Sequence, residues 1–481
     1  MEETNSAPSI KKVPIMTVLI MGAFVAILNQ TLLATALPPI MRDLSISANT
    51  AQWLTTIFML INGIMIPITA FLIESFTTRR LFLSAISIFA AGTLICAVSP
   101  NFTILMAGRI IQAAGAGIML PLMQTVILLI FPVEKRGTAM GIFGLVISFA
   151  PAIGPTLSGV MVDHFHWRTL FYIVFPIAVI DIILGYFILK NVTERTFPKV
   201  DIASIILSTF GFGGILYGFS SAGSNGWNSV VVTAPLAIGV FSLIIFFIRQ
   251  LRLKQPILKI RVFKYKIFTL TTIIGMLVFM ALIGATTVLP IYMQDMRNFS
   301  ATESGLMMMP GAILMGIMSP ITGRIFDKIG ARWLALTGFG LIMLSNFMYT
   351  ILTPETSFGY LTFVYTFRML GVAMVMMPVT TAGLNELPRR LIPHGTAVNN
   401  TMRQVSGSIG TALLVSVMTM AAAGMGSDVD TEILIRGVNT AFWVASVLAL
   451  IGFVLCFFIT KTSPEEENET PVRSNTSAQS K

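Results

Sequence analysis

Long apolar runs, each near the length of a bilayer crossing, alternate along this chain with short polar connectors. Fourteen can be marked: 14–37, 52–73, 81–99, 103–130, 138–160, 169–189, 202–221, 231–248, 268–291, 304–325, 333–352, 359–384, 397–421 and 437–460. A helix rising 1.5 Å per residue needs about 20 apolar residues to cross a hydrocarbon core of roughly 30 Å. The pattern therefore predicts an all-α polytopic membrane protein. The weakest signals are 81–99 and 202–221, the second because Gly and Ser dilute it. Most connectors are too short for a folded extramembrane domain.

Composition agrees with this solvent. Of 481 residues, 55% are hydrophobic and 11% charged, and the mean hydropathy is +0.84; soluble chains carry about 25% charged residues. The net charge of +10 does not mark a nucleic-acid binder, because the basics are dealt out connector by connector instead of clustering with aromatics. Of 31 Lys and Arg residues, 24 fall in, or within two residues of, the tails and alternate connectors of one parity. Four (Arg42, Arg168, Arg297 and Arg436) fall in connectors of the other parity, and three (Arg109, Arg368 and Arg403) fall inside apolar runs. By the positive-inside rule both termini are expected in the cytoplasm of a cell-membrane protein, as an even number of spans also requires. The N-terminus shows no short apolar run with a cleavage site, so no removed signal peptide is expected. Cys96 and Cys456 lie in apolar runs and read as inert small hydrophobes.

An internal echo divides the chain. Ala70, Glu74, Thr77 and Arg79 follow the second run, and Gly323, Asp327, Gly330 and Arg332 follow the tenth, at a constant offset of 253 residues. Arg109 with Pro121 and Arg368 with Pro378 form a looser pair. The expected organisation is an N-tail (1–13), a six-helix bundle (14–190), a two-helix insert with a basic connector (191–266), a second six-helix bundle (267–460) and a polar, disordered tail (461–481). The connector 249–267 reads as an amphipathic strip on the inner leaflet, through Ile257, Leu258, Ile260, Val262 and Phe263. Paired repeats of this kind form the two halves of secondary transporters, with the substrate site between them.

Several motifs carry a resemblance. Leu72, Arg79 and Arg80 match a family's loop after the second span, whereas Ala70, Glu74, Ser75 and Thr77 depart from it. Leu105, Arg109 and Gln112 match its fourth-span motif, and Gly154, Pro155, Ser158 and Gly159 its fifth-span antiporter motif. Trp167, Arg168, Phe171 and Tyr172 match its sixth-span entrance, and Asn399, Asn400, Arg403 and Gln404 its thirteenth-span motif. From residue 14 to about 460 the chain thus resembles the major facilitator superfamily, specifically its 14-span drug:H+ antiporters, the EmrB/QacA-like exporters. The resemblance implies a major facilitator fold of two six-helix repeats plus two inserted helices. It also implies alternating-access export of lipophilic compounds against proton entry, and an antiporter role for Gly154, Pro155 and Gly159. Export of an endogenous metabolite, or a non-transporting receptor or scaffold, stays open.

The residues suggest roles of their own. A charge at the bilayer centre costs about 2.5–3.5 kcal/mol on insertion scales, so intramembrane arginines are expected to face a partner or a wet cavity. Arg109 and Arg403 are candidates for proton-coupling electrostatics, and Arg368 for the substrate cavity. A structural bond to helix-end carbonyls is the competing role for all three. Where the family has an Asp in its first span, this chain has Asn29-Gln30-Thr31. Asn29, Gln30 and Gln112 are therefore cavity candidates that cannot carry a proton. Asp181 is the one acid deep in a run, about 20 Å past Trp167 along a helix, and is the first candidate for the proton carrier; a structural bond is its alternative. Glu303 opens the tenth run, as an exit-side proton site or an exposed cap. Glu74, Arg79, Arg80, Asp327 and Arg332 form candidate gating loops, because an acid at a helix end can hold two helices in one state and release them in another. Glycines 137, 141, 144, 154 and 159 permit close helix approach. Thirty methionines and 35 phenylalanines offer adaptable surface for varied lipophiles. Nothing points to an enzyme: His164, His166 and His394 read as loop residues without a metal site, and no phosphate-binding loop is present. The expected partners are a lipophilic substrate, protons and membrane lipids, with no cofactor and no nucleic acid. The chain is expected to act as a monomer.

Overall fold

The computed structural model describes residues 12–193, 195–196, 200–423 and 431–460; most of the predicted N-tail and all of the C-terminal tail lie outside them. Among the described residues are fourteen long α-helices and no strand. In chain order they are α1 (Lys12–Leu44), α2 (Ala48–Ser75), α3 (Thr78–Ala97), α4 (Phe102–Ile130), α5 (Arg136–His164), α6 (Thr169–Ile188) and α7 (Ile202–Asn225). They continue as α8 (Val230–Arg252), α9 (Lys266–Ile291), α10 (Ala301–Ile329), α11 (Ala331–Met348), α12 (Phe358–Asn385), α13 (Ile392–Ala423) and α14 (Thr431–Cys456). Thirteen contain a segment long and apolar enough to cross a membrane; the other, α5, is 29 residues long.

The connectors start helices by capping them. Ser47, Thr77, Asn101, Asp201, Ser229 and Ser357 each accept from a backbone N–H in the first turn that follows. Orphan donors at the helix starts are thereby satisfied. Prolines inside α2, α4, α6 and α12 are tolerated because neighbouring helices surround the freed carbonyls.

Helices α1–α6 pack into one bundle and α9–α14 into another. The halves meet mainly where α5 lies on α10, and also where α13 meets α2 and α4 and α12 meets α5. Helices α7 and α8 pair closely, and α7 touches both α2 and α13, so the insert spans the seam between the halves. The Gly-rich run 202–221 is a helix because it packs tightly on its partner. A Cβ on Gly214 would stand 2.5 Å from the Pro235 carbonyl oxygen and 2.9 Å from Gly239 Cα, an approach only glycines allow. Trp53 stacks on Tyr217 at 5.7 Å, and Trp227 donates to Ser416 at 2.7 Å, tying α7 to each half in turn. At the base of the insert Arg249 holds Asp201 through two 2.9 Å bonds, and this keeps the carboxyl at about 2.

The connector 249–267 departs from expectation. Ile257, Leu258 and Val262 are buried in the protein, and Gln250 accepts from the Leu258 backbone N–H at 3.1 Å. Its apolar residues cover the protein's own surface and not the membrane, because the segment folds back under α8 and meets α13. The entrance motif has a structural use on the opposite face: Trp167 and Arg168 bind the Asp43 carboxylate at 3.0 and 2.9 Å, and the Trp167 hydrogen bond leads in lowering its pKa.

Candidate functional site

Even-numbered helices end, and odd-numbered ones begin, on the face that carries most of the basics. There the halves are sealed by two carboxylate latches at equivalent helix ends. In the first, Asp327 at the end of α10 accepts from Gly137 N and Thr138 N, each at 2.8 Å, and from Thr138 Oγ1 at 2.5 Å. The carboxylate sits on the first turn of α5, where free N–H groups and the helix dipole favour an anion. In the second, Glu74 at the end of α2 meets the first turn of α13: its Oε1 accepts from His394 Nε2 at 2.9 Å and from Lys259 Nζ at 2.6 Å. The Lys259 backbone N–H donates to His394 Nδ1 at 3.2 Å, so the proton of the neutral ring is on Nε2, where it donates to Glu74. Arg136 Nη1 to Asn385 Oδ1 at 3.0 Å, Thr125 with Thr396 at 2.8 Å and Asn400 to Gln124 at 2.5 Å bridge the halves nearby.

Between the latches α5 and α10 touch along small residues. A Cβ on Gly323 would stand 2.9 Å from the Gly137 carbonyl carbon, and one on Gly141 would stand 2.9 Å from Pro320 Cα. On Gly144 it would lie 3.1 Å from Ser319 Cβ. Three of the five glycines singled out in α5 therefore serve the contact between halves. Gly154 serves the contact with α1, where Thr31 occupies its missing side-chain space; Thr31 also donates to the Ala150 carbonyl at 3.4 Å. Gly159 faces no atom within 4 Å, and the side chain of Pro155 lies outside the described residues.

The intramembrane arginines separate into two kinds. Arg109 is fully buried in the first half, with Nε donating to the Leu54 carbonyl at 3.2 Å and Nη1 to Gln112 Oε1 at 2.7 Å. Its guanidinium lies 4.3 Å over the Phe58 ring. Gln112 in turn donates to Thr93 at 2.7 Å. Arg368 repeats this in the second half, with Nε donating to Asn346 Oδ1 at 3.2 Å, another nitrogen donating to the Ala281 carbonyl, and Asn346 donating to the Ala445 carbonyl at 3.1 Å. Thr93 and Asn346 are themselves 253 residues apart. These arginines staple helices within a half. Neither touches a carboxylate, so the coupling role expected of Arg109 and the cavity roles expected of Arg368 and Gln112 do not match their surroundings. Arg403 differs: among the described residues the one polar contact of its guanidinium is Met376 Sδ at 3.9 Å, the group lies 4.9 Å over Phe279, and Nε and Nη1 have no partner.

The other predicted residues scatter. Asp181 is fully buried, with both oxygens unpartnered among the described residues, in the angle between α6, α1 and α3. A Cβ on Gly22 would stand 2.7 Å from its Oδ2, and 3.1 Å from Phe82. Glu303 closes a capping box, accepting from Ser300 N at 2.7 Å and Ser300 Oγ at 2.8 Å, which uses it as a helix cap at an exposed end. Asn29 is buried with Nδ2 unpartnered, and Gln30 is half-buried. Arg79 lies 4.5 Å over Tyr186 within the first half; Arg80 and Arg332 are exposed. Of the gating residues, only Glu74 and Asp327 bridge halves. His394, expected in a loop, is fully buried in α13. The repeat held a signal for it: Arg136-Gly137-Thr138-Ala139 and His394-Gly395-Thr396-Ala397 are 258 residues apart and form the two latch receptors. Lys259 carried no such signal. Because its side chain is partly exposed, Lys259→Ala should cost less than about 1 kcal/mol. A cysteine placed at Thr125, with Cys96 and Cys456 replaced by Ala, is then expected to label at most about fivefold faster.

Two six-helix halves of matching design, latched at one face and accompanied by two extra helices, define a secondary-transporter architecture. The Major Facilitator Superfamily model matches residues 19–411, and the chain belongs to that family. It is 60% identical to the uncharacterised MFS-type transporter YcnB of Bacillus subtilis, over 95% of this chain and 96% of that one. It is 43% identical to the lincomycin resistance protein LmrB of Bacillus subtilis, over 93% and 96%. The crystal structure of the human organic anion transporter MFSD10 (TETRAN) superposes with a TM-score of 0.68 at 14% identity, covering 92% of this chain and 99% of that one, a likeness of fold.

Proposed function

We propose that the protein is a proton-coupled exporter of lipophilic compounds that works by alternating access, with the basic face and both termini in the cytoplasm. The observation that carries this reading is the pair of latches, Asp327 on α5 and Glu74 on α13. Each is a compact set of charge-assisted bonds across the seam, one that can form in one state and break in another. The division of 24 basics against four supports the orientation, and the state sealed at the basic face would be the one open to the outside. The name of LmrB, a resistance protein, supports a toxic compound as cargo. Proton entry releases about 2.3 kcal/mol per charge per 100 mV. Of the described acids Asp181 alone is both deep in a helix and unpartnered, and we assign it the proton.

Everted membrane vesicles supplied with a lipophilic dye from outside test the reading. Accumulation driven by an imposed pH gradient should collapse on adding an uncoupler. Accumulation that persists would sink antiport, and a failure to move any lipophilic probe would favour a receptor or scaffold.

A further inference from the structure

The acids of the seam stand at helix ends, in the two latches, and four helices around the joint carry cations and no acid at all. Helices α4, α9, α12 and α13 contain no Asp or Glu at all, and the acid of α1 is Asp43, bound at its far end by Trp167 and Arg168. The same helices hold Arg109, Arg368 and Arg403. The first two are stapled to oxygens, as described above. Arg403 is 7% exposed, and two of its three nitrogens have no partner among the described residues. Its neighbours on α9 and α12, Phe279 and Met376, accept weakly at best.

Buried cations are normally paired, because an uncompensated one costs several kcal/mol. No side chain of α9, α12 or α13 can supply the missing charge. One turn before Arg403, Asn400 reaches across the seam to Gln124, so the unpaired guanidinium stands beside the joint between halves. Gln124 Nε2 is a further donor there without a partner. The cluster offers hydrogen-bond donors, an aromatic face and a thioether, with no carboxylate to attract a cation.

We propose that Arg403 is the anion-binding anchor of the substrate site, selecting lipophilic compounds that carry a carboxylate or sulfonate over lipophilic cations. The inference rests on the transport reading above and names its substrate class. A planar guanidinium matches a two-oxygen anion in bidentate fashion. Phe279 and Met376 supply the apolar contact for the rest of the molecule, and a cationic lipophile would meet like charge with no compensating acid.

Two probes of one scaffold test this, anilinonaphthalene sulfonate and the neutral phenylnaphthylamine, measured by fluorescence titration of the full chain in nanodiscs and by export from vesicles. The wild type should bind the sulfonate more tightly than the amine. Arg403→Met should weaken the sulfonate by about tenfold or more while leaving the amine within about twofold. Arg403→Lys, which keeps the charge without the fork, should fall between. Equal loss for both probes, or loss for neither, means that Arg403 is only a packing residue and overturns the proposal. So does a wild type that prefers the amine or tetraphenylphosphonium. Sulfonate binding that depends on Arg403 with no export of any probe would instead overturn the transport reading and leave the site standing.

Discussion

Asp327→Ala is expected to unseal the basic face. The carboxylate accepts three hydrogen bonds from the first turn of α5; a bond to a charged group contributes about 1.5–3 kcal/mol net, and bonds that share one carboxylate do not simply add. Alanine removes all three and also leaves the Gly137 and Thr138 N–H groups without an acceptor in the sealed state. That cost falls on the sealed state alone, since an opened face would hydrate the same groups. A net bias of about 3 kcal/mol shifts the ratio of sealed to open by roughly 100-fold. The cysteine at Thr125, which faces Thr396 across the seam, should then react with a maleimide at a rate higher by one to two orders of magnitude. Export should fall as the state sealed at this face becomes scarce. Asp327→Asn keeps acceptor oxygen without charge and should lie between. A Thr125 cysteine that labels no faster in the Ala variant would show that the glycine contact of α5 and α10 closes the face without the latch.

Much of this arrangement was legible in the sequence, and the part that was not has two causes. The apolar runs, the repeat at 253 residues and the two acids at helix ends follow from length, charge and spacing. Those features are one-dimensional. Facing is not, when a helix is apolar all round, because no polar stripe says which side meets a partner. Gln112 and Arg368 therefore read from the sequence as cavity residues, although both point into their own half. The same ambiguity made 257–263 look like a membrane strip, when it covers the protein. Helix starts set apart by sequence alone misplaced His394, which follows Pro393 and opens α13. The second copy of its Gly-Thr-Ala signature at Gly137 shows that an internal repeat recovers what a single pass misses: what Asp327 does to one half, Glu74 does to the other.

Asp181→Asn is expected to fold as the parent does and to lose uphill export. The position is set by packing: α6 brings the carboxyl against Gly22 of α1 and beside Phe82 of α3, and no polar atom of the described residues meets either oxygen. A charge so buried, with no partner among the described residues, is costly. A neutral group of the same shape is not, and Asn supplies one. If Asp181 takes and releases the proton in each cycle, Asn fixes the protein in the loaded form. Gradient-driven accumulation in vesicles should drop by at least about tenfold while downhill exchange of the same dye continues, because opening and closing of the seam still occur. Glycine 22 gives the shape of the coupling. It leaves room for the carboxyl on the helix that also carries Asn29, seven residues on and thus on the same face, so the charge on Asp181 bears on how α1 lies in the half. A structural bond would behave otherwise: Asn would keep uphill export at the parental rate, and the proton would have to be sought at the seam, where His394 and Glu74 are the titratable pair. Yield and melting temperature of the variant separate lost coupling from lost folding.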